Sequence, residues 1–217
     1  YVDGELITYY NVSNWKQSLN MNKASFTTSF NYKNKVKVSY TYYALRNLPY
    51  VVLNDINIES LDDVEIKVFG GVTSSEEFKN EINSFRVLKD LEARMPILQT
   101  VAKTIFDKHT IAVSSTFIFE NDAPKLQHIK NSQKKHEVSF EVKLKKKQQY
   151  NFTLVGSACT TQNFKDPQSE SERFVIYALL NNKDELIKNH IIEWSNLWES
   201  DIVIEGDLES QLDVRLA

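Results

Sequence analysis

Two stretches of this chain alternate apolar and polar residues without interruption, and this period of two constrains the fold more than any other feature. Residues 35–42 read KVKVSYTY and residues 137–145 read EVSFEVKLK. Because successive side chains of a β-strand point to opposite faces, each stretch has one apolar face and one polar face. Such strands belong to antiparallel sheets that pack one face on a core, so the chain is predicted to be mainly β.

Further strands are predicted around these two stretches. They cover residues 51–58, 64–68, 97–104, 110–119 and 150–156, in which apolar or β-branched residues recur. Gly70-Gly71 predicts a turn after 64–68, and 137–145 with 150–156 predicts a hairpin. Sheets with one apolar face bury that face against each other, so the predicted fold is a large antiparallel β-sandwich.

Residues 74–105 break this rhythm. Ser74 and Glu77 have the spacing of a helix capping box, and Pro96 interrupts the pattern that follows. The apolar residues at helical spacing in between are Phe78, Ile82 and Phe85. We therefore expect a helical or irregular insertion in this part of the sandwich.

The end of the chain changes to a helical period at about residue 174. The apolar residues that share one face of this helix are Leu186, Ile187, Ile191, Trp194 and Trp198. Asp184 and Glu185 lie at its start, where carboxylates suit the positive end of the helix dipole. The apolar face belongs either to the core of this domain or to a surface that docks a second domain.

A second helix is predicted at the very end of the chain. Residues 202–204 form a short apolar strand closed by Gly206, and Asp207 is a suitable N-cap for the helix that follows. The leucines on one side of that helix are Leu208, Leu212 and Leu216.

Both ends of the chain carry motifs of a known family. The C-terminal motifs are W-x-x-L-W at 194–198, D-I-x-I-x-G-D at 201–207 and Q-x-x-V-R-x-A at 211–217. The N-terminal residues are Asn14-Trp15, Leu19-Asn20-Met21, Phe26 and Phe30. Together they resemble the N-terminal sandwich and linker of glycoside hydrolase family 65, which includes maltose, kojibiose and trehalose phosphorylases and hydrolases. Ala24 stands where that family usually has a glycine.

This resemblance implies a supersandwich of the galactose-mutarotase type over residues 1–175. Residues 176–217 would be a helical linker and the start of a missing (α/α)6 barrel. The resemblance also implies that the side chains docking the linker between domains are Trp194, Trp198, Leu208, Leu212 and Leu216. The partners would be the chain's own C-terminal barrel, the carbohydrate substrate of the parent enzyme and, in a homodimer, a second copy.

The family's general acid lies in the barrel, so this chain is expected to hold no catalytic residue and to be inactive alone. The parent would be an inverting hydrolase or phosphorylase of α-glucosides. The chain would brace the barrel and contribute to substrate binding or oligomerisation. No cofactor and no metal site are expected, because no Cys–His pair has ligand spacing and no phosphate-binding glycine loop is present.

Composition excludes several other classes of protein. The net charge is −3 and no aromatic residues interleave with the lysine cluster at 143–147, so nucleic acid is not an expected partner. No apolar run is long enough to span a membrane. The single cysteine, Cys159, excludes a disulfide within the chain and is expected to be buried. Neither a cytoplasmic nor an exported location is favoured.

The histidines leave two alternative functions open. His136 shares the inward parity of its strand, and a mutarotase-like enzyme would pair such a histidine with a glutamate inside the sheet. His109 and His128 are expected to be solvated or hydrogen-bonded, and His190 is expected to solvate the flank of its helix. A free-standing carbohydrate-binding sandwich would instead need exposed aromatic residues on one concave face. A purely structural module that braces a partner is the third alternative.

Overall fold

The computed structural model describes residues 1–89, 94–120, 123–130, 132–200 and 204–216, and it gives the backbone alone for residues 89, 94, 95, 130, 215 and 216. Within these residues the chain forms eleven strands, β1 (Val12–Asn20), β2 (Ser25–Tyr32), β3 (Val36–Ala44), β4 (Val51–Ser60), β5 (Val64–Thr73), β6 (Phe78–Lys89), β7 (Arg94–Thr104), β8 (Thr110–Phe119), β9 (Gln127–Lys130), β10 (Lys135–Leu144) and β11 (Gln149–Thr160). The three helices are α1 (Pro167–Leu180), α2 (Lys183–Leu197) and α3 (Leu208–Leu216).

The strands form two antiparallel sheets. The large sheet has the order β1-β2-β3-β4-β11-β8-β7-β6, and the small sheet has the order β5-β10-β9. Their apolar faces meet, and the ring of Phe140 in the small sheet lies 5.3 Å from that of Phe117 and 5.2 Å from that of Phe152 in the large sheet. The predicted antiparallel sandwich with helices at its C-terminal end is therefore confirmed.

The two strictly alternating stretches occupy the positions that their pattern predicts. Val36, Val138 and Phe140 are buried between the sheets, while Val38 and Val142 are partly buried against the same core. Each alternating strand thus has one face on the core, as expected for an antiparallel sheet.

The predicted hairpin of 137–145 with 150–156 is wrong. β10 pairs with β5 and β9, whereas β11 pairs with β4 and β8. The residues between β10 and β11 carry the chain from one sheet to the other. Ser60 fixes this crossing, because its Oγ accepts the Gln148 N–H at 3.0 Å and donates to the Lys145 carbonyl. A short polar connection can join two strands of one hairpin or two strands of different sheets. Its length therefore does not distinguish a hairpin from a crossing.

The predicted insertion at 74–105 is also wrong, because β6 and β7 form a hairpin there. Ile82 and Phe85 lie three residues apart in a strand and so face opposite sides of it. A β-bulge just before Ile82, where Asn80 has φ 56°, inserts one extra residue into the strand. The alternation of inward and outward side chains therefore shifts by one position there. As a result, Phe78, Ile82 and Phe85 follow one another at intervals like those of a helix. Ser74 caps no helix; its Oγ donates to the carboxylate of Glu81 at 2.8 Å.

Gly70-Gly71 is not a turn, since β5 continues to Thr73. A Cβ atom on Gly70 would lie 2.5 Å from Cζ of Phe117, which belongs to the opposite sheet. Glycine at this position therefore lets the two sheets approach each other.

Helices α1 and α2 cover the outer face of the large sheet. α1 begins before the predicted position, because Oδ1 of Asp166 accepts the Ser169 N–H and caps it. A second apolar core joins these helices to the sheet, formed by Leu45, Val51, Leu53, Val155, Val175, Ala178 and Leu186. The domain boundary predicted at 175/176 stays a prediction. Of the helices in the described residues, none is long and apolar enough to cross a membrane.

Replacement of Gly70 tests the contact between the sheets. We expect Gly70→Ala to lower the free energy of unfolding by about 1–3 kcal/mol, because the Phe117 ring must move out of a packed core. Gly156→Ala is the matched control, since its Cβ would meet no atom within 4 Å; its effect should stay within about 0.5 kcal/mol. Urea denaturation measures both, and equal stability of the two variants would contradict the close approach.

Candidate functional site

Helix α2 is anchored to the large sheet at three residues, Lys183, His190 and Trp198, which we call the α2 clamp. At the start of the helix, the Lys183 ammonium lies 2.9 Å from Oδ1 of Asp55 and also binds Glu120. The Lys183 side chain is only 11% exposed, so both carboxylates serve to neutralise a nearly buried cation. The hydrogen bond from Lys183 lowers the pKa of Glu120.

His190, in the middle of α2, is completely buried. Its Nδ1 accepts the backbone N–H of Arg46 at 3.1 Å. Its Nε2 lies 3.0 Å from the Lys23 carbonyl and 3.3 Å from the Ala24 carbonyl, so Nε2 carries the proton and donates. Burial lowers the pKa of His190, and the two carbonyl contacts raise it by less. A neutral imidazole therefore joins α2 to two different loops.

Trp198, at the end of α2, donates from Nε1 to the Met21 carbonyl at 3.0 Å. Met21 and Ala24 belong to the same β1–β2 turn, which α2 thus holds at both ends. Ala24 has φ 43°, a left-handed conformation in which glycine is normally favoured. This conformation explains in physical terms why a glycine suits the position that Ala24 occupies.

Trp194 lies between His190 and Arg46. The Arg46 guanidinium is 5.3 Å from the centre of the Trp194 indole ring, which is cation–π distance. The ring centres of His190 and Trp194 are 6.4 Å apart. The indole Nε1 is buried and has no hydrogen-bond partner among the described residues. Trp194 and Trp198 therefore both contact the sandwich of their own chain.

Helix α3 presents its leucines to solvent. Leu208 is 76% exposed and Leu212 is 43% exposed, whereas the side chain of Leu216 lies outside the described residues. Asp207 is the N-cap as predicted, and its Oδ1 accepts the N–H groups of Glu209 and Ser210. The apolar strand predicted at 202–204 falls mostly outside the described residues.

A cleft of about 510 Å³ opens between the β1–β4 half of the large sheet and the first nine residues with β5. We call it the aromatic cleft after the rings that line it, Tyr1, Tyr9, Trp15, Phe30, Tyr40, Phe69, Phe117 and Phe152. Trp15 is 47% exposed and stacks on Phe30 with ring centres 5.7 Å apart. Asn54 also lines the cleft, and its Oδ1 is buried without a hydrogen-bond partner in the described part of the chain.

Comparison with known families agrees with this architecture. Residues 1–197 match the model of the glycosyl hydrolase family 65 N-terminal domain. The chain belongs to this family.

Two curated relatives of this family 65 chain are named kojibiose hydrolase. One, from Flavobacterium johnsoniae, is 38% identical over 216 residues, which are 98% of this chain and 32% of the relative. The other, from Mucilaginibacter mallensis, is 35% identical over 206 residues, which are 94% of this chain and 30% of the relative. The chain thus spans about a third of the length of these relatives.

A solved structure named provisionally as a kojibiose phosphorylase from the human microbiome shares the fold. Its TM-score is 0.71 at 15% sequence identity, over 94% of this chain and 27% of that one. At this identity the likeness concerns the fold alone. The predicted fold and family are both confirmed by these comparisons.

The carboxylates that this family 65 domain places at α2 are suited to holding a helix. A general acid for glycoside hydrolysis needs a raised pKa, so that it keeps a proton to donate. Glu120 has the opposite shift, and it shares Lys183 with Asp55. This geometry is that of an ion pair network.

The histidines of the small sheet form a pair. Nε2 of His136 lies 2.6 Å from Nε2 of His128, whose ring stacks on Phe85 with centres 4.8 Å apart. His136 is buried, as its parity predicts. The contact joins two imidazoles and differs from the His–Glu pair that a mutarotase-like reaction requires.

The prediction that His190 solvates the flank of its helix is wrong. A signal for its burial was present, because Leu186, His190, Trp194 and Trp198 recur every four residues and so share one face of a helix. Cys159 is buried, as predicted, and His109 is exposed. The docking role predicted for Trp194, Trp198, Leu208, Leu212 and Leu216 stays a prediction.

The neutral state of His190 predicts how stability depends on pH. Its pKa is lowered on folding from an ordinary value of about 6.5, so below that pH the unfolded chain binds a proton that the folded chain excludes. The stability that neutral His190 contributes to the folded chain is fully present above about pH 7 and is lost as the pH falls. Between pH 7 and pH 5.5 we therefore expect this residue to lower the free energy of unfolding.

Urea denaturation at pH 7 and pH 5.5 measures this loss. In His190→Gln the side chain can still accept and donate but does not titrate, so the variant should lose less stability than the wild type over this interval. His109→Gln, at an exposed histidine, should retain the wild-type dependence. An unchanged pH dependence in His190→Gln would show that His190 is not held neutral.

Proposed function

We propose that the parent protein is an inverting hydrolase or phosphorylase of α-glucosides, and that this chain is its non-catalytic N-terminal domain. The domain would brace a catalytic barrel through its helical end. Support for the substrate comes from the two relatives named kojibiose hydrolase, which extend far beyond the matched part.

One observation carries this proposal. The C-terminal helices contact the sandwich on one side and expose apolar side chains on the other. One side is fixed to the sandwich by the α2 clamp and by the buried residues Leu186 and Val175. Large apolar side chains on these helices are nevertheless exposed, namely Ile192, Leu197, Leu208, Leu212 and Val214. Exposed apolar surface of this kind is typical of a docking site for another protein surface.

We assign the two groups of predicted docking residues to different partners. Trp194 and Trp198 join the linker to the sandwich, and Leu208, Leu212 and Leu216 are the side offered to the barrel. On this proposal the sandwich occupies residues 1–175, and residues 176–217 form the linker and the first part of the barrel. Association of two copies through the same leucines is the alternative use of this surface.

The proposal predicts that the 217-residue chain has no glycosidase or phosphorylase activity. Incubation with kojibiose, maltose and trehalose, with and without inorganic phosphate, should release no glucose or glucose 1-phosphate above the background of buffer. The reason is that the domain contributes no acid and base pair to the reaction.

Glucose release by the purified chain would contradict the proposal, provided that it disappears in a variant of the chain itself. Asp55→Asn and His136→Gln are suitable variants, because they alter the carboxylate at α2 and the buried histidine of the small sheet. Loss of release in either variant would place the chemistry in this domain.

A further inference from the structure

We infer that the aromatic cleft is a binding site for a neutral oligosaccharide, and we propose α-glucosides as the class it takes. The choice of α-glucosides among sugars rests on the proposed function. The existence of the site rests on the shape of the cleft, its rings and the unsatisfied acceptor of Asn54, which are independent of the proposed function.

Size and lining agree with a small-molecule site. A volume of about 510 Å³ lies in the range of ligand pockets, which are mostly apolar and hold a few polar groups that orient the ligand. The deep wall of the cleft is aliphatic, formed by Val36, Val38, Ile58 and Ile66 among others. Its open side carries exposed aromatic rings, so the two parts differ in chemistry.

A row of aromatic rings runs along the inner face of the large sheet, from Trp15, Phe30 and Tyr40 in the cleft to Tyr42 beside it. Ring contacts connect Trp15 to Phe30 at 5.7 Å, Phe30 to Tyr40 at 6.5 Å and Tyr40 to Tyr42 at 5.7 Å. At the two ends of this row, Trp15 and Tyr42 are 47% and 41% exposed. Exposed ring faces stack on the C–H faces of pyranose rings, and a row of rings suits a chain of sugar units.

Next to this row lies a buried polar atom that needs a donor. Asn54 pairs across the sheet with Tyr42, so the two side chains are neighbours on the same face. Its Oδ1 has no hydrogen-bond partner among the described residues, and an unsatisfied buried acceptor destabilises the fold. Because the terminal torsion of asparagine is broad, the oxygen can turn toward the cleft and accept a sugar hydroxyl.

The charged side chain in the lining of the cleft is already paired and does not favour an anionic ligand. Lys67 carries the one charged side chain in its lining as the described residues define it. The Lys67 ammonium lies 2.7 Å from Oε1 of Glu141 and is therefore already neutralised. A phosphorylated or carboxylated ligand would lose its hydration without gaining a counter-ion. A ligand with apolar faces and hydroxyl donors satisfies both the rings and Asn54.

Titration calorimetry of the 217-residue chain with maltotetraose and kojibiose tests the site. We expect saturable binding, about tenfold weaker in Trp15→Ala because a stacking face is lost. Tyr177→Ala is the matched control, since Tyr177 is an exposed aromatic residue on α1, on the other side of the large sheet; its affinity should equal that of the wild type.

Asn54→Leu separates a binding role from a structural one. If Oδ1 accepts a sugar hydroxyl, the variant should bind the sugar several-fold more weakly while its stability to urea stays the same or rises, because an unsatisfied acceptor is removed. A parallel loss of stability and affinity would assign Asn54 to the fold and contradict its role in the site.

The sugar panel distinguishes failure of this inference from failure of the proposed function. Absence of binding to every sugar, or binding that Trp15→Ala leaves unchanged, would overturn the inference and would leave the proposed function standing. Binding of β-linked cellotetraose in place of α-glucosides would overturn the assigned class. Release of glucose by the chain alone would overturn the proposed function whether or not the cleft binds sugar.

Discussion

The structure depends on one buried imidazole, that of His190, being neutral. In this state the ring accepts from the Arg46 N–H at one nitrogen and donates to the β1–β2 turn at the other. A protonated ring would donate at both nitrogens, so the Arg46 N–H would lose its acceptor inside the protein. One side chain thus holds together α2, the β3–β4 connection and the β1–β2 turn, which are far apart in sequence.

The two faces of the large sheet have different roles. Its outer face carries the helices, and the clamp residues Lys183, His190 and Trp198 fix them along the length of α2. Its inner face meets a sheet of only three strands, so the β1–β4 half stays partly open as the aromatic cleft. A docking surface and a ligand site can therefore occupy the same domain without competing for the same side chains.

The sequence predicted the fold where the signal was local. Strict alternation identified β3 and β10, and the four-residue period identified α2. It failed where a contact distant in sequence decides the structure. The bulge before Ile82 imitates helical spacing, and the bond from Ser60 to Gln148 sends β10 and β11 to different sheets. The first leaves a misleading period in the chain, and the second leaves none.

Part of the candidate site could also be predicted from local sequence, and part could not. Trp194 and Trp198 were recognisable because tryptophans four residues apart share a helix face. The role of His190 depends on carbonyl groups at Lys23 and Ala24, which no spacing rule brings near it. The aromatic cleft was equally out of reach, because only strand pairing makes Tyr42 a neighbour of Asn54 and places Trp15 against Phe30.

Hydrogen exchange of the Arg46 amide tests most directly whether α2 is an integral part of the sandwich. If His190 accepts this N–H in a closed, buried contact, the amide should exchange as slowly as that of Phe140 in the core, through global unfolding. Its protection should disappear in His190→Ala. An Arg46 amide that exchanges as fast as that of the exposed Lys108 would show that α2 separates from the sheet in the native state, and it would contradict the α2 clamp.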